Sequence, residues 1–295
     1  MGQNINASVH LYADDTIIYC CASTVALVFE HLRSAFDIIQ TQLLNLRLVL
    51  NADKTKVMLF SGKKKVPEVL PGITTAQGTP IELVASYKYL GITIDDGLCF
   101  KTHIKNLLKK LKLKLGFFFR NKSCFSFNAR KRLVAATFLP VLDYGDIVYM
   151  NAPTHSLKLL DAAYHGALRF ITDCKPLTHH CTLYSLVNWS SLSTRRLLHW
   201  YHFIYKSILG LLPTYLSSFM SRKHFSHSLR SQDCITFTVP SVRTELGKTA
   251  FSYSAPSTWN SLQQSLKLSH LIPLEDFKYL LNTMETSSFR TCLCS

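Results

Sequence analysis

Acidic side chains are scarce in this chain. Asp and Glu number 18 against 33 Lys and Arg, which leaves a formal net charge of +15 at pH 7 and a pI near 9.4. Such a surplus points to a polyanionic partner, either nucleic acid or an acidic membrane surface. No apolar run reaches bilayer length. The richest, SILGLLPTYLSSFM, is interrupted by Pro213 and by serines, so no membrane span is expected. Residues 1–10 carry neither a basic segment nor an apolar stretch of signal-peptide type, and the expected location is intracellular, nucleus or cytoplasm, without secretion. The nine cysteines follow no regular framework and form no C-x-x-C pair, which argues against a secreted disulfide scaffold and for a reducing compartment. Gly62-Lys63 has no preceding glycine of a phosphate loop, so P-loop chemistry is excluded.

What is present is the composition of a folded protein: 47% hydrophobic and 17% charged residues over 295 positions, enough for one large or two ordinary domains. Residues 9–22, VHLYADDTIIYCCA, predict two short strands joined at Asp14-Asp15. From Thr24, a candidate cap, apolar residues recur at helical spacing through Val25, Phe29, Leu32, Phe36, Ile39, Leu43 and Leu46. KVMLF predicts a strand, and residues 62–80 a loop rich in Gly, Pro and Lys. YKYLGITID again reads as a strand, with a bend at Gly91. Residues 101–120 place lysines around Leu107, Leu108, Leu111 and Leu115, the pattern of a basic amphipathic helix. Helical periodicity then dominates to about residue 220. The stretch from Asp233 to Leu262 predicts strand-like pieces and turns, with a last helix near EDFKYLLNTM.

Two adjacent carboxylates at a tight turn can be a solvated turn and nothing more. They can also hold Mg²⁺, which prefers hard oxygen ligands. The order of segments decides between these readings. Tyr12-Ala13-Asp14-Asp15 between apolar strands, a helix, and then Asn51, Lys54 and Thr55 in an N-x-x-K-T run resemble reverse transcriptases, most closely those of non-LTR (LINE-type) retrotransposons. YKYLGITID, through Tyr89, Leu90, Gly91 and Ile92, is similar to the element that positions the primer end in that family. LDYGDIVYMNAP, LKLLDAAYHGALRFITD, LYSLVNWSSLSTRRLLHWYHFIYK and AFSYSAPSTWNSL look like its thumb and C-terminal region, so the resemblance runs along nearly the whole chain.

The resemblance implies an α+β fold: a partial palm (antiparallel hairpin plus helix) over residues 1–98, a helical basic thumb-like region over 99–172 and a mainly helical C-terminal region over 173–295. It implies Asp14 and Asp15 as Mg²⁺ ligands and catalytic residues, with Tyr12 beside the primer end. It makes Lys54, Tyr89, Gly91, Lys101, Lys105, Lys109, Lys112 and Arg120 candidates for contact with an RNA/DNA duplex. A palm of this family needs a further metal-binding aspartate upstream and a fingers region. Only thirteen residues precede Asp14, so the stretch is expected to be an RNA-directed DNA polymerase fragment, inactive alone. Its uncovered palm edge is expected to associate with another polypeptide. The alternative is a non-catalytic nucleic-acid-binding module or a relic with no selected function.

Other candidates point elsewhere. The lysines of 101–120 also suit a solvated helix face. Arg130, Lys131, Arg132, Arg195 and Arg196 add basic positions, some of them at helix ends. His179-His180-Cys181, with Cys174 nearby, suggests zinc, but no C-x-x-C completes a recognised spacing, and Cys292 and Cys294 are distant. Trp189, Trp200 and Trp259 sit in apolar contexts and are expected in the core.

Overall fold

The local signals build two units, Met1–His103 and Ile104–Ser295. The computed structural model describes residues 7–61, 70–223 and 234–288, the last four of these in backbone only. Gly62, Lys63 and the pair Cys292 and Cys294 lie outside the described residues, as does most of the Lys-rich part of the 62–80 loop.

In the first unit, β1 (Ser8–Tyr12) and β2 (Asp15–Tyr19) form an antiparallel hairpin with Tyr12 opposite Asp15. The turn therefore centres on Ala13 and Asp14, one residue earlier than the sequence suggests. Helix α1 (Val25–Asn45) follows, and the Thr24 hydroxyl accepts the Leu27 N–H at 3.3 Å, the expected cap. Its core face buries Phe29, Ala35 and Phe36. Phe29 and Phe36 cluster with Ile73 and Ile81, and Ile18, Leu32, Val57 and Leu70 pack around them. Gln40, also buried, is satisfied at both ends: its carbonyl accepts the Ala76 N–H at 2.7 Å and its amide donates to Asp37.

The predicted KVMLF strand pairs over only two residues, β3 (Lys56–Val57). It runs parallel to β5 (Pro80–Leu83), which pairs on its other side with β4 (Ile73–Thr74). YKYLGITID corrects the single-strand expectation more sharply. It is a hairpin of β6 (Ser86–Tyr89) and β7 (Ile92–Asp95), closed by Leu90 at φ 44° and Gly91 at φ 83°. Two positive φ values are what a two-residue turn needs to match strand twist, and Gly91 supplies one without steric cost.

Asp95, the last residue of β7, closes the turn that leads into α2 (Lys101–Arg120). Its carboxylate accepts the Cys99 N–H at 2.9 Å and the Phe100 N–H at 2.6 Å. Burial alone would raise the Asp95 pKa, but these N–H donors outweigh it and hold the group below the ordinary carboxylate value.

The second unit is helical, with α3 (Phe127–Thr137), α4 (Leu139–Asp143), α5 (Thr154–Thr172), α6 (His180–Val187), α7 (Leu192–Ile208), α8 (Thr214–Ser218), α9 (Glu245–Thr249), α10 (Phe251–Leu266) and α11 (Leu274–Ser288). Helix α5 packs on α3 and α6 and buries Leu160, Tyr164, Ala167, Leu168 and Ile171. Phe118 of α2 stacks on Phe170 of α5 at 4.9 Å between centroids. Gly166 allows the approach of α2 to α5, since a Cβ there would meet the Leu115 side chain at 3.2 Å.

A second cluster joins Trp200, Ile204 and Tyr205 of α7 to Trp259 of α10 and Phe277 and Leu281 of α11. The late stretch expected as strands and turns is thus largely helix, Pro256 lying inside α10. Its β pairing among the described residues is one bridge, Arg222 to Phe237. Trp200 and Trp259 are buried as expected, whereas Trp189 is half-buried with the Lys131 ammonium 5.9 Å from its ring. The described residues thus make a mixed α+β fold of small sheets and several helices.

Candidate functional site

Short apolar strands that alternate on both sides of a two-residue turn leave the turn in solvent. Tyr12, Ala13, Asp14 and Asp15 are all exposed, Tyr12 at 62%. Ala13 carries φ 53°, the strained position of the turn. Adjacent carboxylates thus stand at an open tip, a donor set of oxygen alone that fits Mg²⁺. Among the described residues, no group of three His, Cys, Asp or Glu ligand atoms within 4.8 Å includes either of them.

The N-x-x-K-T run forms a side-chain-closed turn. The Asn51 carboxamide oxygen accepts the Lys54 N–H at 3.1 Å, and the Asn51 carbonyl accepts both the Thr55 N–H and its hydroxyl. The Tyr87 hydroxyl donates to the Lys54 carbonyl at 3.1 Å. The Lys54 turn and the β6–β7 hairpin, which carries Tyr89 and Gly91, are therefore fixed to one another. Lys54 is exposed and Tyr89 half-buried.

Helix α2 sorts its residues by face. Ile104, Leu107, Leu111 and Phe118 are buried. Lys105, Lys109, Lys112 and Arg120 are exposed, and at 3.6 residues per turn they share an arc of about 80° on the opposite side. Lys101, the first residue of α2, is exposed as well. From Lys105 to Arg120 the row extends roughly 22 Å. The other basic candidates differ. Arg130 donates to the Lys122 carbonyl and Lys131 to the Val187 carbonyl at 2.7 Å. Arg195 pairs with Asp143, and Arg196 lies 3.6 Å from Asp161. Only Arg132 of these five is exposed; internal acceptors hold the rest.

Two clusters bring potential metal ligands within 4.8 Å of each other. Asp143, Asp146 and His199 form one. Asp146 is buried and its carboxylate lies 2.6 Å from His199 Nδ1. That bond to Asp146 outweighs burial and raises the His199 pKa. With Arg195 already on Asp143, this cluster has the charge balance of an ion network. No spacing rule could have found it, because the partners lie more than fifty residues apart in the chain.

His179, His180 and Cys181 form the other, the trio set aside for want of a recognised spacing. His179 caps α6, its Nδ1 accepting the Cys181 N–H at 3.4 Å. The His180 ring stacks on His165 at 5.2 Å, and His165 Nε2 shares a 2.6 Å hydrogen bond with the Tyr184 hydroxyl. Burial first, then His180, Arg169 and His179, hold the His165 pKa down at about 4.

Comparison with known proteins gives distant relatives of one kind. The chain is 27% identical over 152 residues to the RNA-directed DNA polymerase from mobile element jockey of Drosophila melanogaster, covering 50% of this chain and 16% of that protein. It is 25% identical over 184 residues to a probable RNA-directed DNA polymerase from transposon BS of the same organism, 60% of this chain and 20% of that one. A putative 115 kDa protein in the type-1 retrotransposable element R1DM, also of Drosophila melanogaster, is 28% identical over 144 residues, 48% and 14%. The chain is thus distantly homologous to retrotransposon reverse transcriptases, and its matched part spans a fifth or less of each. No family model matches the chain, and no solved structure matches it.

Proposed function

We propose that this chain is a piece of a LINE-type RNA-directed DNA polymerase that binds an RNA/DNA duplex and, as this stretch stands, does not polymerise. Residues 1–98 would be palm, 99–172 thumb-like and 173–295 the C-terminal region. The observation that carries the reading is the exposed Tyr12–Asp15 turn, with adjacent carboxylates between two strands and a capped helix directly behind them.

Asp14 and Asp15 would hold Mg²⁺. A two-ion polymerase site uses such metals to activate a primer hydroxyl and to stabilise the leaving oxygen, with several kcal/mol of charge stabilisation at stake. Two acids without a third ligand atom near them leave that geometry unset. In this reading Tyr12 stands beside the primer end, Lys54 and the hairpin of Tyr89 and Gly91 support it, and Lys101, Lys105, Lys109, Lys112 and Arg120 follow the duplex backbone. Every residue of β1 is exposed, Leu11 at 73%. Such an open edge suits pairing with another polypeptide.

Primer extension on a homopolymer RNA template with Mg²⁺ tests the catalytic half. No extension is expected from the chain alone. Extension abolished by Asp14→Ala would overturn the claim of inactivity. The alternative of a non-catalytic binding module draws on the same α2 row and predicts that Asp14→Ala leaves duplex affinity unchanged.

A further inference from the structure

We propose that His179, His180 and Cys181 form a zinc site at the start of α6. The trio's ligand atoms lie within 4.8 Å of one another. A tetrahedral zinc ion, with bonds of about 2.0–2.3 Å, sets its ligands roughly 3.3–3.8 Å apart. Closing the trio requires movements of about an ångström, which rotation of the three side chains supplies. The donor set of two imidazoles and one thiol is borderline-soft. It selects zinc over magnesium or calcium, which take oxygen ligands. Cys181 would bind as the thiolate, its proton passing to solvent.

The local fold prepares these ligands. His179 Nδ1 accepts the Cys181 N–H at the start of α6, and zinc would take that nitrogen in place of this cap bond, with the ring proton on Nε2. The loop that leads into the site is anchored by the Arg169 guanidinium, which donates to the Thr178 carbonyl at 3.3 Å. It leaves α5 at Asp173, a left-handed C-cap at φ 61° paired with Lys122. On the inner side His180 rests against His165 and edge-on to Tyr184, which are hydrogen-bonded to each other. These ring contacts limit the orientations open to the His180 imidazole. Three protein ligands leave a fourth position for water, and the consequence of binding would be to pin α6 to the loop before it. None of this depends on the polymerase reading.

Co²⁺ titration of the full chain, followed by absorption, tests the site. The expected result is one equivalent of cobalt giving tetrahedral d–d bands together with a thiolate-to-cobalt charge-transfer band, both displaced by Zn²⁺. Cys181→Ser should abolish the charge-transfer band, and His179→Asn, which keeps a capping side chain, should weaken cobalt binding at least tenfold. Cys124→Ser, at an exposed cysteine elsewhere, should leave the spectrum unchanged. Absence of the charge-transfer band in the unaltered chain would overturn the proposal, as would its survival in Cys181→Ser. A Tm that rises with added Zn²⁺ in the unaltered chain and not in Cys181→Ser is the second expected signature, and equal Tm responses in both would contradict it.

Discussion

The Tyr87 hydroxyl donates to the Lys54 main-chain carbonyl at 3.1 Å, across thirty-three positions of sequence. It joins the N-x-x-K-T turn to the β6–β7 hairpin, two segments well apart in the chain. Tyr87→Phe removes the bond and little else. Because the side chain is 40% exposed, the expected loss is below about 1 kcal/mol in urea unfolding. Weakened duplex binding is expected alongside it if the Lys54 turn contributes to that surface.

The two hairpin turns predict opposite responses. Gly91 at φ 83° cannot take a Cβ without strain, so Gly91→Ala should cost about 1 kcal/mol. Ala13 already carries that strain at φ 53°, so Ala13→Gly should be neutral or stabilising by a few tenths of a kcal/mol, roughly. Denaturation midpoints of the two variants check the pair. A shift of both in the same direction would contradict the turn assignments.

These turns also mark how far the sequence could be read. Thr24 and the apolar spacing behind it announce α1, and the leucines of 104–118 announce α2, because 3.6-residue periodicity is written along the chain. YKYLGITID hides its turn, since Leu90 is a β-compatible residue forced to positive φ and only Gly91 signals the reversal. KVMLF reads as a five-residue strand, yet β5 offers it a partner over just Glu82 and Leu83. Phe251–Leu266 looks like turns because of its serines and Pro256, and tertiary packing of Trp259 into the second cluster overrides that propensity. The carboxylate turn was legible as a motif. The ion pairs of Asp143 and Asp146 with α7 were not, because chain separation carries no signal of contact.

Asp95 predicts an acid-side loss of stability. Its pKa is lowered in the fold, so its contribution is complete above the unfolded value of about 3.9 and disappears as pH falls through the folded value. Asp95→Ala should lower stability by about 1–2 kcal/mol at pH 7 and flatten this dependence. Thermal unfolding followed from neutral pH down the acid limb, in the unaltered chain and in Asp95→Ala, checks it.

His199 predicts the opposite sign. Its pKa is raised by Asp146, so the stabilisation is complete below the unfolded value of about 6.5 and is lost as pH rises through the folded value. His202, whose pKa burial lowers, works against it at acid pH. The difference between the unaltered chain and His199→Gln isolates the His199 contribution, and it should shrink as pH rises above about 6.5. A difference that grows with pH would contradict the assignment.

The C-terminal cluster depends on Trp259, fully buried with its indole N–H donating to the Ile235 carbonyl at 2.7 Å. Trp259→Phe should cost about 1–3 kcal/mol through the orphaned carbonyl, and Trp259→Ala about 3–5 kcal/mol through the added cavity. Chemical denaturation of both variants separates the two contributions.

Salt titration of binding to an RNA/DNA primer–template duplex tests most directly the proposed contact of α2 with nucleic acid. Binding through the α2 row predicts that log Kd rises with log salt with a slope near 4, from about five neutralised phosphates. It also predicts that Lys105→Ala, Lys109→Ala and Lys112→Ala together reduce that slope by about 2 to 3. An affinity independent of salt, or a slope left unchanged by the triple substitution, would contradict it.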